Sequence, residues 1–414
     1  MTFPFMGALK SQPSSSLAFF SGWLSLTQLI TWGSVFYTFS LLAHPVELAL
    51  DISRASSSFA FSLALLAEGL MAYFVGRWID AGHERQVMTL GSVVVGLGLL
   101  AHSQIESLTG FYGVWVCIGL GLSATLYTPA FAVVTRRFPA DFRRGIIVLT
   151  FLGGLASTVF IPLSSWLIDT WGWRHALVVL ACLQLGVCAP LHAWLLRGAR
   201  QPQAPGMHPE HPLASQIPLR TFLKQSPFWL LTAFMMLMMM VTSALPVHMV
   251  NLLRESGLPP AWVLAIPASI GLIQVLGRWL LFMFERHFNV HAANRWIPVL
   301  IPLGVSAFVF GGVTALPAMA FIVLFGLGNG MNTIVKGTAF AQYVSRDHVG
   351  QLNGLIGLPI ALARACGPWA LGLMWLPQDG YRLGLQWMLL FSVLGVAALW
   401  TAQSRAMRKS NPSG

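Results

Sequence analysis

The chain has 414 residues, 56% of them hydrophobic and only 9% charged, with a formal net charge of +11 and a mean hydropathy of +0.70. Soluble globular chains are about a quarter charged, and disordered, coiled-coil or collagen-like chains need far more charge or a short repeat. These figures leave a chain dissolved in a lipid bilayer.

A hydrocarbon core about 30 Å thick takes roughly 20 apolar residues per helix. Windows of that length, bounded by charge, Gly or Pro, run in chain order over 17–43, 56–79, 87–105, 110–135, 146–168, 175–196, 227–252, 262–284, 296–314, 317–343, 351–376 and 383–403. They predict an all-α membrane protein of twelve transmembrane helices. Lys10 and several serines precede the first window with no small-residue cleavage site after it, so it reads as a retained span rather than a signal peptide. The longest polar stretch, rich in Pro, Gln and His, separates six spans from six. The expected organisation is a six-helix half over 1–196, a cytoplasmic linker over 197–226, a second half over 227–403 and a cytoplasmic tail over 404–414. Cys117, Cys182, Cys188 and Cys366 all lie in apolar runs without metal or redox spacing and read as small packing residues.

Basic loops resist translocation, so the distribution of Lys and Arg sets the sidedness. With the N-terminus inside, 17 of the 24 basic residues fall in cytoplasmic segments and four outside, namely Arg54, Arg174, Arg254 and Arg382. The acidic residues split six and six. The excess positive charge is therefore a topology signal, with both termini cytoplasmic. A nucleic-acid groove would need Lys and Arg interleaved with aromatics on a soluble surface; here they sit between apolar runs, and no nucleic-acid partner is expected.

The halves are related to each other. Residues 121–132 (GLSATLYTPAFA) in span four precede 330–341 (GMNTIVKGTAFA) in span ten by 209 positions, and Gly172-Trp-Arg174 precedes Gly380-Tyr-Arg382 by 208. Six spans per copy keep both in one orientation, as parallel repeats about an axis along the membrane normal.

Gly22-Trp23 opens span one, the run 52–56 (ISRAS) introduces span two, and Gly76-Arg-Trp-Ile-Asp80 ends it before Glu84-Arg85. Arg143-Arg-Gly145 precedes span five and 172–176 (GWRHA) leads into span six. With these motifs the whole chain resembles the major facilitator superfamily, and within it the monocarboxylate porter and oxalate/formate exchanger branch. The resemblance implies a central cavity lined by spans one, two, four, five, seven, eight, ten and eleven. It also implies a gating motif at Gly76, Asp80 and Arg85, in which Asp80 would accept the N-terminal amides of span eleven near Gly350 and Gln351. The motif is degraded here: Ala81 stands where a basic residue is usual, Gly82 is displaced by one, and Gln86 follows Arg85 where the family has two adjacent basics.

An ionised side chain at the bilayer centre is penalised by roughly 3 kcal/mol or more, so the charges tolerated there are informative. They are Glu68 in span two, Arg278 in span eight, Lys336 in span ten and Arg364 in span eleven, all on spans that the resemblance assigns to the cavity. Arg364 stands about 13 residues into its span, roughly 20 Å, beyond snorkelling reach of either interface. Lys336 and Arg278 lie about 10 Å from cytoplasmic ends. The porter branch commonly carries an acid four residues before an arginine in span eight; here Gln274 takes the acid's place.

Three cations against one carboxylate select an anion by Coulomb attraction, and Arg fits a carboxylate with two parallel hydrogen bonds. The expected cargo is a small organic anion, a mono- or dicarboxylate. Glu68, among Leu66, Ala67 and Leu70, is the candidate proton site, its rival role being a plain pairing with a cavity cation. Gln28, Trp32, Tyr37, Tyr127 (the repeat counterpart of Lys336) and Asn332 are candidates for fixing cargo orientation. The run Met235–Met240 reads as flexible filler, with a soft-metal site as the weaker alternative.

No nucleotide loop of the Gly-x-x-x-x-Gly-Lys-Ser/Thr type occurs, and no nucleophile, metal or acid-base constellation points to an enzyme. No cofactor is called for. Proton-coupled secondary transport, with protons as coupling ion, the bilayer as surroundings and a monomer as working unit, is the leading expectation. Anion exchange, export of amphipathic compounds and a non-transporting membrane sensor are the rivals.

Overall fold

The computed structural model describes residues 15–139, 141–198, 219–284, 289–345 and 349–410, so most of the expected linker and the last four residues of the tail lie outside the described residues. The chain is helical nearly throughout. The first pass, α1, runs Ser15–Thr31, through a π-helical turn Trp32–Tyr37, to Thr38–Leu50. Then come α2 (Arg54–Asp80), α3 (Glu84–His102) and α4 (Leu108–Ser123, then Tyr127–Arg137). Phe142–Gly154, carried on over 156–171, forms α5, and residues 173–195 form α6. The second set is α7 (Ser226–Glu255), α8 (Pro260–Phe284), α9 (Val290–Trp296 and, after a 3-10 turn, Leu300–Gly311), α10 (Ala315–Tyr343), α11 (Val349–Leu373) and α12 (Arg382–Ser410).

Among the described residues, ten stretches are long and apolar enough to cross a membrane by length and composition. One of them, Arg144–Leu195, is 52 residues long and holds two passes, because Gly172 turns the backbone with φ 78° between α5 and α6. The first pass adds the twelfth; its π turn divides it into pieces of 17, 6 and 13 residues. Gly380, the repeat counterpart of Gly172, also has positive φ, at 55°. Glycine alone takes that region without steric cost, so the duplication read in the sequence persists as a shared backbone conformation.

The two copies differ at one break. Pro129 has no N–H to return to the Thr125 carbonyl, and α4 is interrupted over 124–126. The freed carbonyl accepts the Gln28 side-chain amide at 2.7 Å. In the second copy Thr338 stands where Pro129 would fall, and α10 runs unbroken.

Each half has its own core. Phe39 stacks against Phe61 at 4.7 Å and edge-on to Trp115 at 4.9 Å in the first, and Phe308, Phe321 and Phe325 stack at 4.6 and 4.7 Å in the second. The halves meet where α2 packs along α11 and α5 along α8. Within the second half, a Cβ on Gly330 would lie 2.3 Å from the Gln274 carbonyl oxygen. That close backbone approach, of the kind small residues permit in membranes, sets α10 and α8 side by side. It puts their charged residues on one wall.

Three of the four cysteines are exposed on the helix surfaces rather than packed; Cys188 is the buried one. Bilayer tails surround such positions as readily as a core does, and a thiol suits either.

Candidate functional site

A cavity of about 380 Å³ lies between the halves. From the first half it is lined by Trp32, Phe36 and Tyr37 of α1, Glu68 of α2, Tyr127 of α4 and the pair Gly153-Gly154 of α5. From the second half come Met239, Thr242 and Ser243 of α7, Gln274 and Arg278 of α8, Asn329, Thr333 and Lys336 of α10, and Arg364 of α11. All four intramembrane charges singled out in the sequence meet in this one space, although they are spread over 297 positions of chain.

Arg364 donates from Nη1 to Glu68 Oε1 at 2.8 Å, across the boundary between halves. The other carboxylate oxygen, Oε2, is buried without a partner among the described residues. Arg364 also stands 5.9 Å over the Phe36 ring, a cation–π arrangement. Arg278 crosses the boundary as well, donating from Nη1 to the Thr150 carbonyl at 2.7 Å. Among the described residues Lys336 donates to the Met239 thioether, at 3.2 Å. Neither Arg278 nor Lys336 faces an anion among the described residues, and a buried cation without a counter-ion is costly.

Two glycines that the sequence reading passed over seat this arrangement. A Cβ on Gly153 would lie 2.5 Å from the Tyr127 hydroxyl, and one on Gly154 would lie 3.1 Å from Arg278 Nη1. Adjacent glycines inside an apolar span were the available signal. Phe36, Met239 and Thr242 were also missed; nothing in their spacing distinguishes them from packing residues.

Gln28 and Asn332, expected to face cargo, lie outside the cavity lining. Gln28 is fully buried and braces the break in α4. Asn332 is fully buried too, with neither amide atom partnered among the described residues; its neighbours Asn329 and Thr333 face the cavity instead, one helical turn and one position away. Of the Met run, Met235 and Met238 sit in the core and Met239 turns to Lys336.

The face that carries residues 51–54, expected to be external, is sealed by a hub on Arg54. Its guanidinium pairs with Glu255 of the other half and with Glu47 at 3.3 Å, donates to the Tyr381 hydroxyl at 3.2 Å and lies 4.5 Å over Trp375. Trp375 Nε1 donates to Glu255 at 2.8 Å, and His248 pairs with the Tyr381 hydroxyl at 3.0 Å. Burial holds that hydroxyl well above its ordinary pKa despite the opposing pull of Arg54, so it stays protonated. At the opposite face, every ion pair among the described residues is internal to the first half: Glu84, itself buried, pairs with Arg137 at 2.6 Å and Arg136 at 3.8 Å, and Arg144 pairs with Asp141. Asp80 is exposed there; the contacts of Gly350 and Gln351, its expected latch partners, lie outside the described residues. Arg85 donates to the Ala193 carbonyl at 2.8 Å, and Gly76 meets no neighbour that a Cβ would touch. Among the described residues, the ion pairs that cross between the halves lie at the Arg54 face and in the cavity.

Arg54→Ala should loosen the sealed face. It removes two ion pairs and leaves Glu47 and Glu255 facing each other, and hydrogen bonds to charged groups contribute about 1.5–3 kcal/mol each. In a chain freed of its own cysteines and carrying Ser58→Cys, labelling by a membrane-impermeant maleimide from that face is expected to speed up about tenfold or more. An unchanged rate would mean that Arg54 is not the fastener.

A sequence profile described as Major Facilitator Superfamily matches residues 24–368. Monocarboxylate transporter 4 of Mus musculus is 24% identical over 304 residues, 69% of this chain and 61% of the relative. Monocarboxylate transporter 13 of Bos taurus is 32% identical over 209 residues, 48% of this chain and 46% of the relative. The chain thus spans about three fifths or less of the length of these relatives. Among solved structures, a bacterial homologue of the human lysosomal transporter Spinster, inward-facing and unoccupied, matches with a TM-score of 0.73 at 15% identity, over 96% of this chain and 99% of that one. The nucleoside transporter NupG matches with a TM-score of 0.68 at 15% identity, over 94% and 98%. At such identities the two structures speak for the fold.

Proposed function

The chain belongs to the Major Facilitator Superfamily, and from that premise we propose that this multi-pass membrane transporter moves a small organic anion, a mono- or dicarboxylate, by alternating access with proton symport as the drive. The observation that carries the reading is the cavity's charge: Arg278, Lys336 and Arg364 against Glu68 alone, with two of the three cations facing no anion among the described residues. The monocarboxylate transporters among the relatives support the same cargo class. A carrier of cations would want the opposite sign.

The geometry suggests how proton and anion are linked. A cargo carboxylate and Glu68 compete for one guanidinium, that of Arg364. A proton taken by Glu68 at its unpartnered Oε2 cancels the carboxylate charge and releases Arg364 to the cargo. The cargo anion then holds Arg364 while Arg278 and Lys336 complete its surroundings. With Glu68 protonated, its ion pair with Arg364 across the boundary is gone, which removes one of the ties that rocking of the halves about the midplane site must break. Gln274, beside Arg278 in place of an acid, leaves that arginine without a local carboxylate. We place both termini in the cytoplasm, on the charge asymmetry of the loops, with the Arg54 seal facing outward and the monomer as the working unit in the cell membrane.

Purified protein in proteoliposomes tests this directly. Labelled mono- and dicarboxylates should be taken up, and an imposed inward proton gradient should raise their accumulation. Uptake of a sugar or a cation in place of any anion would overturn the cargo class.

A further inference from the structure

The cavity is divided by chemistry along the boundary between halves. Its three cations all come from the second half, and its aromatic residues, Trp32, Phe36, Tyr37 and Tyr127, all come from the first. These rings form a continuous wall: Phe36 lies 5.7 Å from Tyr37 and 5.1 Å from Trp32, Trp32 lies 5.3 Å from Tyr127, and Tyr127 stacks on Phe131 behind it at 5.3 Å. Each of the four lining rings is half-buried. By contrast, Phe39 and Phe61 on the neighbouring turns of α1 and α2 are 1% exposed and belong to the core of the first half. The wall is therefore more aromatic surface than packing within that half consumes.

We infer that the cargo is a carboxylate with a flat, unsaturated body, an aromatic or conjugated acid, held by its charge at the cations of α8, α10 and α11 and by its ring against the α1 and α4 wall. This rests on the reading of the protein as an anion carrier and narrows it. Beyond its ring faces the wall carries three polar groups, the Tyr37 and Tyr127 hydroxyls and the Trp32 indole N–H. Apart from Glu68, which carries the coupling proton in the proposed cycle, the first half presents rings, glycines, Leu126 and Thr128 to the space. A short aliphatic acid held by the cations would meet the first half through a hydroxyl or the indole N–H and leave the ring faces uncovered. A ligand shifts a conformational equilibrium only by its differential interaction with the two states, so a cargo that is to draw the halves together must grip both. A ring does so, since aromatic faces attract one another beyond simple area burial. The cavity volume, about 380 Å³, is at the low end of the roughly 300–1,000 Å³ range for ligand pockets, which favours one ring over a larger system. The rings of Trp32 and Tyr127 are too close to admit a third between them. The cargo would therefore lie on the wall rather than be sandwiched in it.

The test is counterflow into proteoliposomes of the full chain, with labelled propionate, benzoate, and cyclohexanecarboxylate, the saturated analogue of benzoate's size. Benzoate is expected to be preferred about tenfold over each of the others, equivalent to about 1.4 kcal/mol. In Trp32→Leu and, separately, Phe36→Leu, that preference should fall to about threefold or less. If wild-type protein carries propionate or cyclohexanecarboxylate as well as it carries benzoate, the inference falls and the anion reading stands. If none of the acids is carried, while liposomes of a known carrier run in parallel are active, the anion reading falls and the inference with it. A preference for benzoate that survives intact in both folded variants would overturn the aromatic wall as its source. The wild-type comparison decides the cargo class even if a variant fails to fold.

Discussion

Arg364→Gln is expected to lower uptake of the anion at least about a hundredfold while the protein stays folded in the membrane. Two unit charges 4 Å apart attract by about 4 kcal/mol at an effective dielectric constant of 20, and Arg278 and Lys336 would recover part of what is lost. A net loss of about 2.7 kcal/mol, which is a hundredfold, is what remains when about a third of that attraction is recovered. Glutamine suits the test because it keeps an amide that donates to Glu68, so the substitution removes charge without emptying the contact. The Ser243 hydroxyl bonds the Arg364 carbonyl at 2.9 Å, a backbone contact that the change leaves alone. Membrane level and a monodisperse elution profile report folding; initial uptake at low cargo concentration reports the site. Uptake with unchanged affinity would remove Arg364 as the anchor.

The four charges were legible in the sequence because ionised groups in a bilayer cost too much to be incidental. Which of them pair was not. Glu68 and Arg364 are 296 positions apart, and any of the three cations of the second half would have served Glu68 equally well on paper. Arg54 was read as an external charge within the run 52–56 that introduces span two, since no one-dimensional feature links it to Glu47 and Glu255. Polar residues inside spans misled in a specific way. Gln28 looks like a cargo contact until the missing N–H of Pro129 is set beside it, and then it is the repair of a broken helix. Asn332 and Asn329 are a turn apart on α10, and only the packing of Gly330 against α8 decides which of them turns to the cavity. The span pattern carried through to twelve passes, with the π turns at Trp32–Tyr37 and Gln184–Cys188 as local features without a signature. The first of these turns is where the aromatic wall begins, in keeping with the frequency of such bulges at functional sites.

Glu68→Gln is expected to abolish the response to a proton gradient while sparing exchange of cargo for cargo. A glutamine at this position resembles the protonated glutamic acid in shape and charge, so Arg364 is permanently free to meet the anion and no proton need accompany it. For one proton per anion, a gradient of one pH unit supplies about 1.4 kcal/mol, enough to drive accumulation toward tenfold in the wild type. In the variant the same gradient should drive none, and uptake should stop when inside and outside concentrations are equal. Counterflow needs no net proton movement, and with the competitor for Arg364 neutralised its affinity should rise. The tie between halves is weakened as well, since a neutral amide replaces the carboxylate that accepts from Arg364 at 2.8 Å. The reorientation of the empty carrier should therefore quicken. Proton accumulation kept intact in Glu68→Gln would place the coupling elsewhere and leave Glu68 as a plain partner of Arg364. Loss of counterflow in a folded variant would instead make Glu68 part of the anion site itself, with no separate role for a proton.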